Sequence, residues 1–559
     1  TVANINISLG AISANYNFRT EYCSSLYTLI PSESSTRKEK ELNEIAPPVE
    51  ECENNEDDIL LEEVQRVIGR LKNGKSPGTD GVTAELLKAG GETLTRQVHK
   101  ICAQIWKKEE WPEEWTKTVM VTIPKKGDLM QCQNYRTIAL MNTMSKVMMM
   151  VLLERLKHSV EPFLAEEQAG FRRDRSTIQQ ILTLRLIAEK AHRKNQCVYN
   201  CFIDFTKAFD TVRPDLLWAV FRSYGVSGKL VRVLEQAYCQ ARSAVRVNNT
   251  VGSWFATPAG TKQGDPVSPA AFITYLERIM ESVQQTEESG ISIQGQRINN
   301  LRFADDVDLL ETNRDGLQMN LEKVNEAAEI MGLQINVSKT KSMVFGRESI
   351  EQNLQLGQTE VENVQEFVYL GSLITWDNDC SKEIKNRIGK ASGAMTKLRK
   401  TWSRKEISLA TKVQLLNACV FSVLLYACET WTIKRRDKDA IKAFELRCYR
   451  RILKIHWTQK VTNSEVKRRL GVEVDIFQRL MLRKLNFFGH VCRMSDDRLI
   501  KTVIFGDMEG TNRRGRPRRE WLNDIQEWCN MDVYRLYTVA KNREEWAAVV
   551  RTSVDTNGH

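Results

Sequence analysis

The sequence predicts an α+β protein whose sheet carries helices on one face, followed by a mostly α-helical, basic C-terminal region. Two patterns indicate this fold class. Between residues 197 and 375, short apolar strands alternate with helices and hairpins, which is the order of an α+β sheet. From residue 381 onward the apolar residues recur almost everywhere at helical spacing, and the sequence shows no repeat of fixed length.

Upstream of the sheet the pattern is mainly helical. The segment ILLEEVQRVIGRLKNG places apolar residues at helical spacing from about Ile59, with Gly74 as its expected end. Further helices are predicted over 83–110, 142–158 and 175–194. A short strand, TVMVTIPKKGD, is predicted between the first two of these helices and ends in a turn.

The sheet begins with CVYNCFIDF, a buried strand, and a helix follows from Pro214 because proline suits the first turn of a helix. RSAVRVNNTVGSWFATPAG indicates a strand, an Asn-rich turn and a strand, and RINNLRFADDVDLLET indicates two strands with two acids at their turn. NVSKTKSMVF predicts a strand and EFVYLGSLIT a further strand or hairpin. The remaining helices of this region are predicted over 228–240, 268–287 and 315–331.

Length and composition limit the function classes. A chain of 559 residues with 42% hydrophobic and 27% charged residues excludes collagen-like, mucin-like and wholly disordered proteins. The apolar run near 417–428 is too short to span a bilayer, and TVANINISLGAIS lacks the basic part of a secretory signal. Thirteen cysteines are too few for a disulfide scaffold. We therefore expect a soluble, reduced, intracellular protein, and a fragment or processed product because residue 1 is Thr.

The positive charge is concentrated in the C-terminal third. Residues 381–559 hold 38 of the 81 Lys and Arg but only 20 of the 71 Asp and Glu. Such a region favours a polyanionic partner, above all nucleic acid, although a solvated basic helix face has the same composition. The densest cluster, in NRRGRPRREW, predicts either a flexible phosphate-contacting loop or a nuclear-import signal: Arg513, Arg514, Arg516, Arg518 and Arg519.

Three carboxylates stand out by their surroundings. Asp204 ends a strongly apolar strand, and Asp305 and Asp306 lie at the tip of a predicted hairpin. A carboxylate at the edge of an apolar sheet is costly unless a cation compensates it, and oxygen ligands of this kind suit Mg²⁺. Two such ions about 4 Å apart can hold the attacking and leaving oxygens of a phosphoryl transfer. An Asp-Asp pair alone would equally be a polar turn, so the surrounding blocks decide between the two interpretations.

These acids stand among blocks that resemble, in order and over about residues 70–375, the reverse transcriptase domain of non-LTR (LINE-like) retrotransposons. CFIDFTKAFDTV resembles the first catalytic block, AGTKQGDPVSP the block that packs against nucleotide and template, and FADD the more usual YADD. GLQINVSKTKSMVF and YLGSLIT resemble the next block and the primer-holding hairpin. Upstream, IPKKGD, NYRTIALMNTMSK and QAGFRRDRST resemble the fingers blocks of this branch. Each block alone is a weak signal, whereas their common order is specific.

The resemblance implies an α+β right-hand polymerase with fingers, a palm containing an antiparallel sheet, and a helical thumb, followed by the mostly α-helical basic C-terminal region. It implies these domain limits: a weakly ordered N-terminal segment over 1–58, fingers with an N-terminal extension over 59–195, the palm with the catalytic core over 196–375, the thumb over 376–460, and a basic nucleic-acid-binding region over 461–559.

The resemblance also implies roles at the catalytic centre. Asp204 and Asp305 would bind two Mg²⁺ ions, which Mn²⁺ could replace. Asp306 would complete the metal site as a more peripheral ligand. Lys339 would be the general acid for pyrophosphate, a role that needs a positioned proton donor, although an ordinary surface lysine fits this position equally well.

Further roles concern the substrates. Phe209, five residues after the first catalytic acid, would be an aromatic gate that excludes a 2′-hydroxyl and so selects deoxynucleotides. Gln263 and Gly264 would pack against nucleotide and template. Lys125 and Arg136 would contact the triphosphate, since arginine suits bidentate phosphate contact. Three hairpin residues would hold the primer end, with glycine allowing close backbone approach: Tyr369, Leu370 and Gly371.

Two departures from the family's pattern bear on activity. Phe303 replaces the usual Tyr before Ala-Asp-Asp, which removes a hydroxyl but keeps the ring. Thr137 and Ala139 replace the commoner Pro and Ser of the YRPIS pattern, and this change bears on the geometry of Arg136.

The implied function is an RNA-directed DNA polymerase that extends a primer 3′-OH on an RNA template with dNTPs. Its partners would be the RNA template, a DNA primer or target DNA, and dNTPs, with no membrane; the oligomeric state is not predicted. Its place would be the nucleus, at least transiently, and the cytoplasm. Two alternatives stay open: a group II-intron-like maturase/reverse transcriptase, and a host-retained relic that binds nucleic acid without catalysis.

Overall fold

The computed structural model of the protein describes residues 20–25, 57–125, 128, 130–247, 250–257, 259–284, 289–346 and 352–557. Residues 20–25 are helical, and the other residues of the predicted segment 1–58 lie outside the described residues, except 57 and 58. Within the described ranges, no helix combines the length and the apolar character that a membrane crossing requires.

The chain forms two compact units, each assembled from three separate stretches of sequence. Unit 1 consists of residues 1–171, 204–286 and 322–336. Unit 2 consists of residues 172–203, 287–321 and 337–559. Residues far apart in the sequence therefore become neighbours inside each unit.

Helices make up most of the secondary structure, and local capping sets several of their starts. Thr83, Ser176 and Ser227 each precede a helix and accept a hydrogen bond from a backbone N–H of its first turn. Among the described residues, the α-helices are Leu61–Arg70, Ala84–Ala89, Gly91–Lys108, Glu113–Thr116, Thr143–Val160, Thr177–Arg193, Pro214–Ser223, Gly228–Cys239, Ser268–Gln284, Arg314–Ile330, Cys380–Lys397, Arg399–Ser403, Leu409–Leu416, Ser422–Leu424, Arg435–Leu453, Asn463–Leu470, Ile476–Cys492, Leu499–Phe505, Trp521–Cys529, Val533–Lys541 and Arg543–Asn557. A π-helical turn covers Asn417–Phe421, and short 3₁₀ turns cover Cys132–Asn134, Glu161–Phe163, Cys428–Thr430 and Trp457–Gln459.

The strands of the described residues are β1 (Lys117–Pro124), β2 (Tyr135–Met141), β3 (Val198–Ile203), β4 (Arg242–Val247), β5 (Thr250–Val251), β6 (Phe255–Ala256), β7 (Ile291–Ile293), β8 (Gln296–Ile298), β9 (Asn300–Phe303), β10 (Asp306–Glu311), β11 (Lys341–Phe345), β12 (Leu354–Leu356), β13 (Thr359–Asn363), β14 (Glu366–Tyr369) and β15 (Ser372–Thr375). In unit 1, the described strands form one sheet in the order β2-β1-β4-β5, with β6 also paired to β4. Here β1 runs antiparallel to β2 and parallel to β4.

Unit 2 contains a six-stranded sheet in the order β12-β13-β11-β3-β10-β9, as far as its residues are described. The central strand β3 runs antiparallel to both of its neighbours, β10 and β11. Five of its six residues are buried, which explains why its sequence is apolar apart from Asn200. Two separate hairpins, β7–β8 and β14–β15, accompany this sheet.

One hydrophobic core joins the sheet of unit 2 to its C-terminal helices. It contains Leu184 from the helix Thr177–Arg193, Phe202 from β3, and Trp431 and Trp521 from the C-terminal region, all at most 3% exposed. The basic C-terminal region is therefore packed into unit 2 mainly through its apolar residues, together with a buried ion pair between Lys484 and Asp524.

The α+β class is confirmed, and most predicted elements are present, with three differences. The first helix ends at Arg70 and not at Gly74, because Leu71 is extended and its carbonyl accepts a hydrogen bond from Lys88 Nζ at 2.6 Å. The helix predicted over 83–110 is interrupted at Gly90. The strand β2, the hairpin β7–β8 and the strand pair β12–β13 are additional elements that the sequence pattern did not predict.

Candidate functional site

Three strands of unit 2 bring the predicted catalytic segments to one end of its sheet. Ile203, the last residue of β3, is paired with Val307 of β10. Lys341, the first residue of β11, is paired with Phe202 of β3. Because β10 and β11 run antiparallel to β3, both strands begin where β3 ends. The turn before β10 and the loop before β11 therefore leave the sheet at the same end, which we call the β3 end.

Asp305 and Asp306 lie in the turn at the β3 end. Phe303 of β9 is paired with Asp306 of β10, so Ala304 and Asp305 form the turn between the two strands. Ala304 has a φ of 58°, in the left-handed region that residues other than glycine rarely adopt. Backbone strain of this kind concentrates at functional sites. Asp306 is exposed and Asp305 is half-buried, so the turn presents both acids at the edge of the sheet.

Asp204 directly follows Ile203 and begins the second stretch of unit 1. Within unit 1, its carbonyl accepts a hydrogen bond from the Asn336 N–H at 2.7 Å, and the neighbouring Phe205 forms a β-bridge with Ile335. These contacts fix the backbone of Asp204 within unit 1.

Lys339 lies in the loop before β11, two residues ahead of Lys341. It is exposed and belongs to the β3 end of unit 2, as do Asp305 and Asp306. The structure thus brings the candidate general acid to the same end of the sheet as the acidic turn.

The hairpin β14–β15 is docked on β3 by aromatic rings. The Phe367 ring stacks on Phe202 with ring centroids 4.2 Å apart, and the Tyr369 ring lies 5.7 Å from Phe202. Burial, and then the nearby carboxylates of Asp308 and Asp306, raise the pKa of Tyr369 well above its ordinary value. Tyr369 is therefore a buried, protonated residue at the end of β14, directly before the turn residues Leu370 and Gly371.

Asp308 is a buried acid beside this hairpin that the sequence analysis does not single out. Its side chain is 0% exposed, and neither carboxyl oxygen has a hydrogen-bond partner in the part of the chain that the structure describes. Burial raises the pKa of Asp308 well above its ordinary value, which favours the neutral acid. Its sequence signal is its position two residues after Asp306, on the same face of β10.

Side chains from the C-terminal helices hold the tip of the hairpin. Leu370 and Gly371 have φ values of 46° and 83°, as a two-residue hairpin turn requires. Tyr426 Oη donates a hydrogen bond to the Leu370 carbonyl at 2.7 Å. The Arg387 guanidinium donates to the Gly371 carbonyl and lies over the Tyr426 ring, 4.5 Å from its centroid. Both carbonyls of the turn are thus fixed by side chains.

Glu383 holds Arg387 in place from within the protein. Its carboxylate is 0% exposed and accepts hydrogen bonds from Arg387 Nε at 2.6 Å and from the Leu373 N–H at 3.0 Å. Arg185 donates to the Leu373 carbonyl at 2.8 Å. None of these residues was predicted from the sequence, although the Glu383–Arg387 spacing of four is a recognisable helical pair.

Phe209 occupies an aromatic cluster in unit 1. Its ring stacks on Phe272 at 4.4 Å and faces Phe171 edge-on at 6.4 Å. Its carbonyl accepts hydrogen bonds from the Thr261 N–H at 2.7 Å and from Thr261 Oγ1 at 3.1 Å. The side chain is only half-buried, so part of the ring stays accessible.

Gln263 and Gly264 lie against β2 of the same unit. The Ala139 N–H donates to the Gln263 carbonyl at 2.7 Å. Gly264 has a φ of 120°, and a Cβ at this position would lie 2.4 Å from the Ala139 carbonyl oxygen. This position therefore requires glycine. Because Ala139 makes these contacts through its backbone, they do not depend on the Ser that the family's pattern places there.

Lys125 and Arg136 lie on the two sides of the β1–β2 hairpin of unit 1. The Lys125 N–H donates to the Asn134 carbonyl at 2.7 Å, and Arg136 is paired with Ile123. Both side chains are exposed. The hairpin thus presents two cations near its tip.

The five predicted nucleic-acid-binding arginines lie in an irregular segment of unit 2 that precedes the helix Trp521–Cys529. Arg518 Nη1 donates to the Asp377 carbonyl at 3.3 Å. Arg519 forms ion pairs with Asp524 and Glu527 at 2.7 and 2.6 Å. The segment is therefore attached to the body of unit 2 at its C-terminal side.

The predicted site residues fall into two groups, one in each unit. Unit 1 contains Asp204, Phe209, Gln263, Gly264, Lys125 and Arg136; unit 2 contains Asp305, Asp306, Lys339, Tyr369, Leu370, Gly371 and the five arginines. Among the described residues, no group of three or more His, Cys, Asp or Glu side chains is arranged to hold a metal ion. Magnesium in phosphoryl-transfer sites usually takes one or two carboxylates and completes its shell with water and substrate phosphates. The adjacent acids of the turn fit such an open site by their chemistry.

Part of the chain matches a known protein family, and the chain is similar to several known proteins. Residues 123–374 match the family model described as reverse transcriptase (RNA-dependent DNA polymerase). The chain is 29% identical over 293 residues to a retrovirus-related Pol polyprotein from the type-1 retrotransposable element R2 of Popillia japonica, covering 51% of this chain and 39% of that protein. It is 23% identical over 423 residues to the RNA-directed DNA polymerase from the mobile element jockey of Drosophila melanogaster, covering 73% and 45%. The chain thus spans less than half the length of these relatives.

Among solved structures, a telomerase from Candida tropicalis in complex with the TWJ fragment of telomeric RNA is 13% identical, with a TM-score of 0.36. The alignment covers 76% of this chain and 68% of that structure. The family match begins at the first residue of IPKKGD and ends within YLGSLIT, so it includes the acidic turn, the Gly264 block and the hairpin described above. Residues 123–374 are therefore similar to the reverse transcriptase family, and the proteins similar to this chain include the Pol polyprotein of the retrotransposable element R2 and the RNA-directed DNA polymerase of the mobile element jockey.

Proposed function

We propose that this chain acts as the RNA-directed DNA polymerase of a non-LTR retrotransposon and extends a primer 3′-OH along an RNA template with dNTPs. The observation that carries the proposal is the strand register of unit 2. Because Ile203 is paired with Val307, the residue after β3 and the acids before Val307 leave the sheet at one end. Asp305 and Asp306 lie in the turn at this end of the sheet, and carboxylates are the protein ligands that a two-metal phosphoryl transfer requires.

Asp204, Asp305 and Asp306 are the proposed ligands of two Mg²⁺ ions, which Mn²⁺ can replace. When bound, these ions stabilise the charge that develops on the attacking and leaving oxygens. Lys339 is the proposed proton donor to the departing pyrophosphate, and its exposed position before β11 suits this role.

Phe209 is the proposed selector of deoxynucleotides, because its accessible ring would collide with a 2′-hydroxyl. The Phe272 stack and the Thr261 hydrogen bonds hold this residue in one position, as a steric filter requires. Gln263 and Gly264 would pack against nucleotide and template, and the exposed cations of the β1–β2 hairpin, Lys125 and Arg136, would contact the triphosphate.

The proposed architecture is a right hand, with fingers over 59–195, palm over 196–375, thumb over 376–460 and a basic nucleic-acid-binding region over 461–559. In this arrangement the turn of the β14–β15 hairpin holds the primer end through Tyr369, Leu370 and Gly371. The fixed carbonyls of Leu370 and Gly371 support this role, because a primer can be positioned only by a rigid backbone.

The proposed partners are an RNA template, a DNA primer or target DNA, and dNTPs. An RNA–DNA hybrid would be recognised by its shape and backbone, with Lys and Arg contacts that weaken as salt rises. A polymerase that copies RNA into chromosomal DNA works in the nucleus, at least transiently, and is translated in the cytoplasm, so we propose both locations.

Primer extension on an RNA template with Mg²⁺ tests the proposal. We expect the wild type to synthesise DNA from dNTPs, and the Asp305→Ala, Asp306→Ala double variant to lose this activity by at least 10³-fold. Asp315→Ala, which removes an exposed acid from the start of a helix, is the matched control and should retain activity. A wild type that binds RNA without extending the primer would contradict the proposal and favour a host-retained relic. Activity confined to a self-splicing intron RNA would favour a maturase.

A further inference from the structure

A cavity in unit 2 is closed on one side by the arginine loop, which we define as residues 512–519. Its volume is about 670 Å³, within the range of small-ligand sites. The opposite wall contains His192 and Arg193 from the end of a helix and the segment around Asp377. The Arg513 N–H donates to the Arg193 carbonyl at 2.7 Å, which anchors the loop beside the cavity.

The cavity has more positive charge than its own acids neutralise. Arg193 and Arg519 form ion pairs with nearby acids, and Lys434 pairs with Asp379 at 2.7 Å. Three exposed arginines of the loop have no ion pair or side-chain hydrogen bond within the described ranges: Arg513, Arg514 and Arg516. Their charge is therefore available to an external anion.

His192 contributes an unsatisfied polar atom to the wall. Its Nε2 is buried and has no hydrogen-bond partner among the residues that the structure describes. The ring is hydrogen-bonded to the backbone of Trp376. Burial, followed by the charges of Arg518 and Arg513 and opposed by Asp377, lowers the pKa of His192 to about 4. The lining of the cavity contains seven Lys and Arg residues against four Asp and Glu residues, so its potential is positive, which is the condition for binding an anion.

We propose that this cavity is a phosphate-binding site that takes about one or two nucleotides of a single-stranded nucleic acid. Successive unpaired guanidinium groups match the repeated phosphates of one strand, and guanidinium binds phosphate in bidentate fashion. The enclosed volume is too small for both strands of a duplex. None of the cavity residues belongs to the proposed catalytic group. The choice of a nucleic acid as the anion rests on the proposed function, whereas the positive cavity does not.

The geometry favours this interpretation over a nuclear-import signal. A receptor that reads a linear basic peptide needs the whole segment to be extended and free. Here Arg518 donates a hydrogen bond to the Asp377 carbonyl, and Arg519 forms ion pairs with two acids. The C-terminal side of the loop is therefore held against unit 2 and is not free. The unpaired cations face a cavity that has room for a ligand.

Binding of a fluorescein-labelled octauridylate to the full chain, followed by anisotropy, tests the site. The variant replaces Arg513, Arg514 and Arg516 by Ser. The matched control replaces by Ser three exposed arginines that lie outside the proposed nucleic-acid-binding region: Arg66, Arg70 and Arg96. We expect at least tenfold weaker binding and a salt dependence reduced by about two units of slope for the loop variant, and less than a twofold change for the control.

A local readout accompanies the affinity. Trypsin cleaves exposed arginine loops, so octauridylate should slow cleavage after Arg513 and Arg514 in the wild type, as measured by mass spectrometry; Arg516 precedes Pro517 and is not a cleavage site. The same protection in the Asp305→Ala, Asp306→Ala variant would show that the site binds nucleic acid independently of polymerisation. Equal loss of affinity in loop variant and control, or protection by an import receptor but not by octauridylate, would overturn the proposal. Normal protection in a chain without polymerase activity would leave it standing while the proposed function fails.

Discussion

Gly264 is the residue at which the smallest change should have the largest effect. Its φ of 120° and the 2.4 Å that would separate a Cβ from the Ala139 carbonyl oxygen leave no space for a methyl group. We expect Gly264→Ala to displace the Gln263 block from β2 and to lower primer extension by at least 100-fold. Gly389→Ala is the matched control, because nothing lies within 4 Å of a Cβ there, and alanine favours a helix by about 1 kcal/mol. Equal activity of the two variants would contradict this reasoning.

Phe209 supports a prediction about substrate choice. Removal of its ring by Phe209→Ala opens the position that a 2′-hydroxyl would occupy, so we expect the preference for dNTPs over NTPs to fall at least tenfold in single-nucleotide extension. Phe209→Tyr keeps the ring and should keep the preference. A preference unchanged in Phe209→Ala would show that another residue selects the sugar.

For single residues, the sequence predicts well those features that depend only on neighbouring residues in the chain. Asp305 and Asp306 are adjacent, and their flanking apolar residues mark the turn that the structure contains. Asp308 lies in β10, two residues after Asp306, but no sequence motif marks it. Its burial depends on the strands and the hairpin packed around it. The role of Arg185 cannot be predicted from the sequence for a related reason, since its side chain donates a hydrogen bond to a carbonyl 188 positions away in the sequence.

The hairpin β14–β15 illustrates the same limit for an element. EFVYLGSLIT predicts a strand or hairpin, because strand-forming residues such as Val, Tyr, Ile and Thr flank Leu-Gly. What holds its tip comes from the helix Cys380–Lys397 and from Tyr426 beyond it. The strand pair β12–β13 shows the converse. Its segment LQLGQTEVEN has the alternating apolar residues and the glycine turn, at Gly357, that are typical of a hairpin. This hairpin was therefore predictable from the sequence.

Tyr426 provides a test of the hairpin as an element. Tyr426→Phe keeps the ring under Arg387 but removes the hydrogen bond to the Leu370 carbonyl, which contributes about 1 kcal/mol. If the hairpin positions the primer, we expect the KM for primer–template to rise several-fold, with a smaller change in kcat and a Tm within a few degrees of the wild type. Tyr534→Phe, at a residue 82% exposed, is the control. A change in Tm without a change in KM would assign Tyr426 a purely structural role.

For the whole chain, the sequence predicts the fold class but not which distant segments pack against one another. The charge count separates a basic C-terminal third from an acidic body, yet apolar residues from both share one core in unit 2. Polar contacts also join segments that are far apart in the sequence. Lys190 Nζ donates to the Gly506 carbonyl at 2.6 Å, and Arg193 pairs with Glu520 at 3.1 Å. Partners more than 300 positions apart leave no trace in local periodicity, so only the folded chain reveals them.

Glu189 links these distant segments and should make the stability of the chain depend on pH. Its carboxylate accepts the Trp521 N–H at 2.8 Å, and burial, then the Glu520 carboxylate, raise the pKa of Glu189 to about 8, with Lys484 and Lys190 opposing. The folded state therefore holds a proton that the unfolded state releases near pH 4.5, so stability falls as pH rises from about 4.5 to about 8. Glu189→Gln imitates the protonated form and keeps the acceptor. We expect the variant to match the wild type at pH 4.5 and to exceed it at pH 8.5 by on the order of 2 kcal/mol in free energy of unfolding, measured in urea. A difference that does not change with pH would mean that Glu189 is ionised in the folded protein, and that the junction between its helix and Trp521–Cys529 tolerates a buried charge.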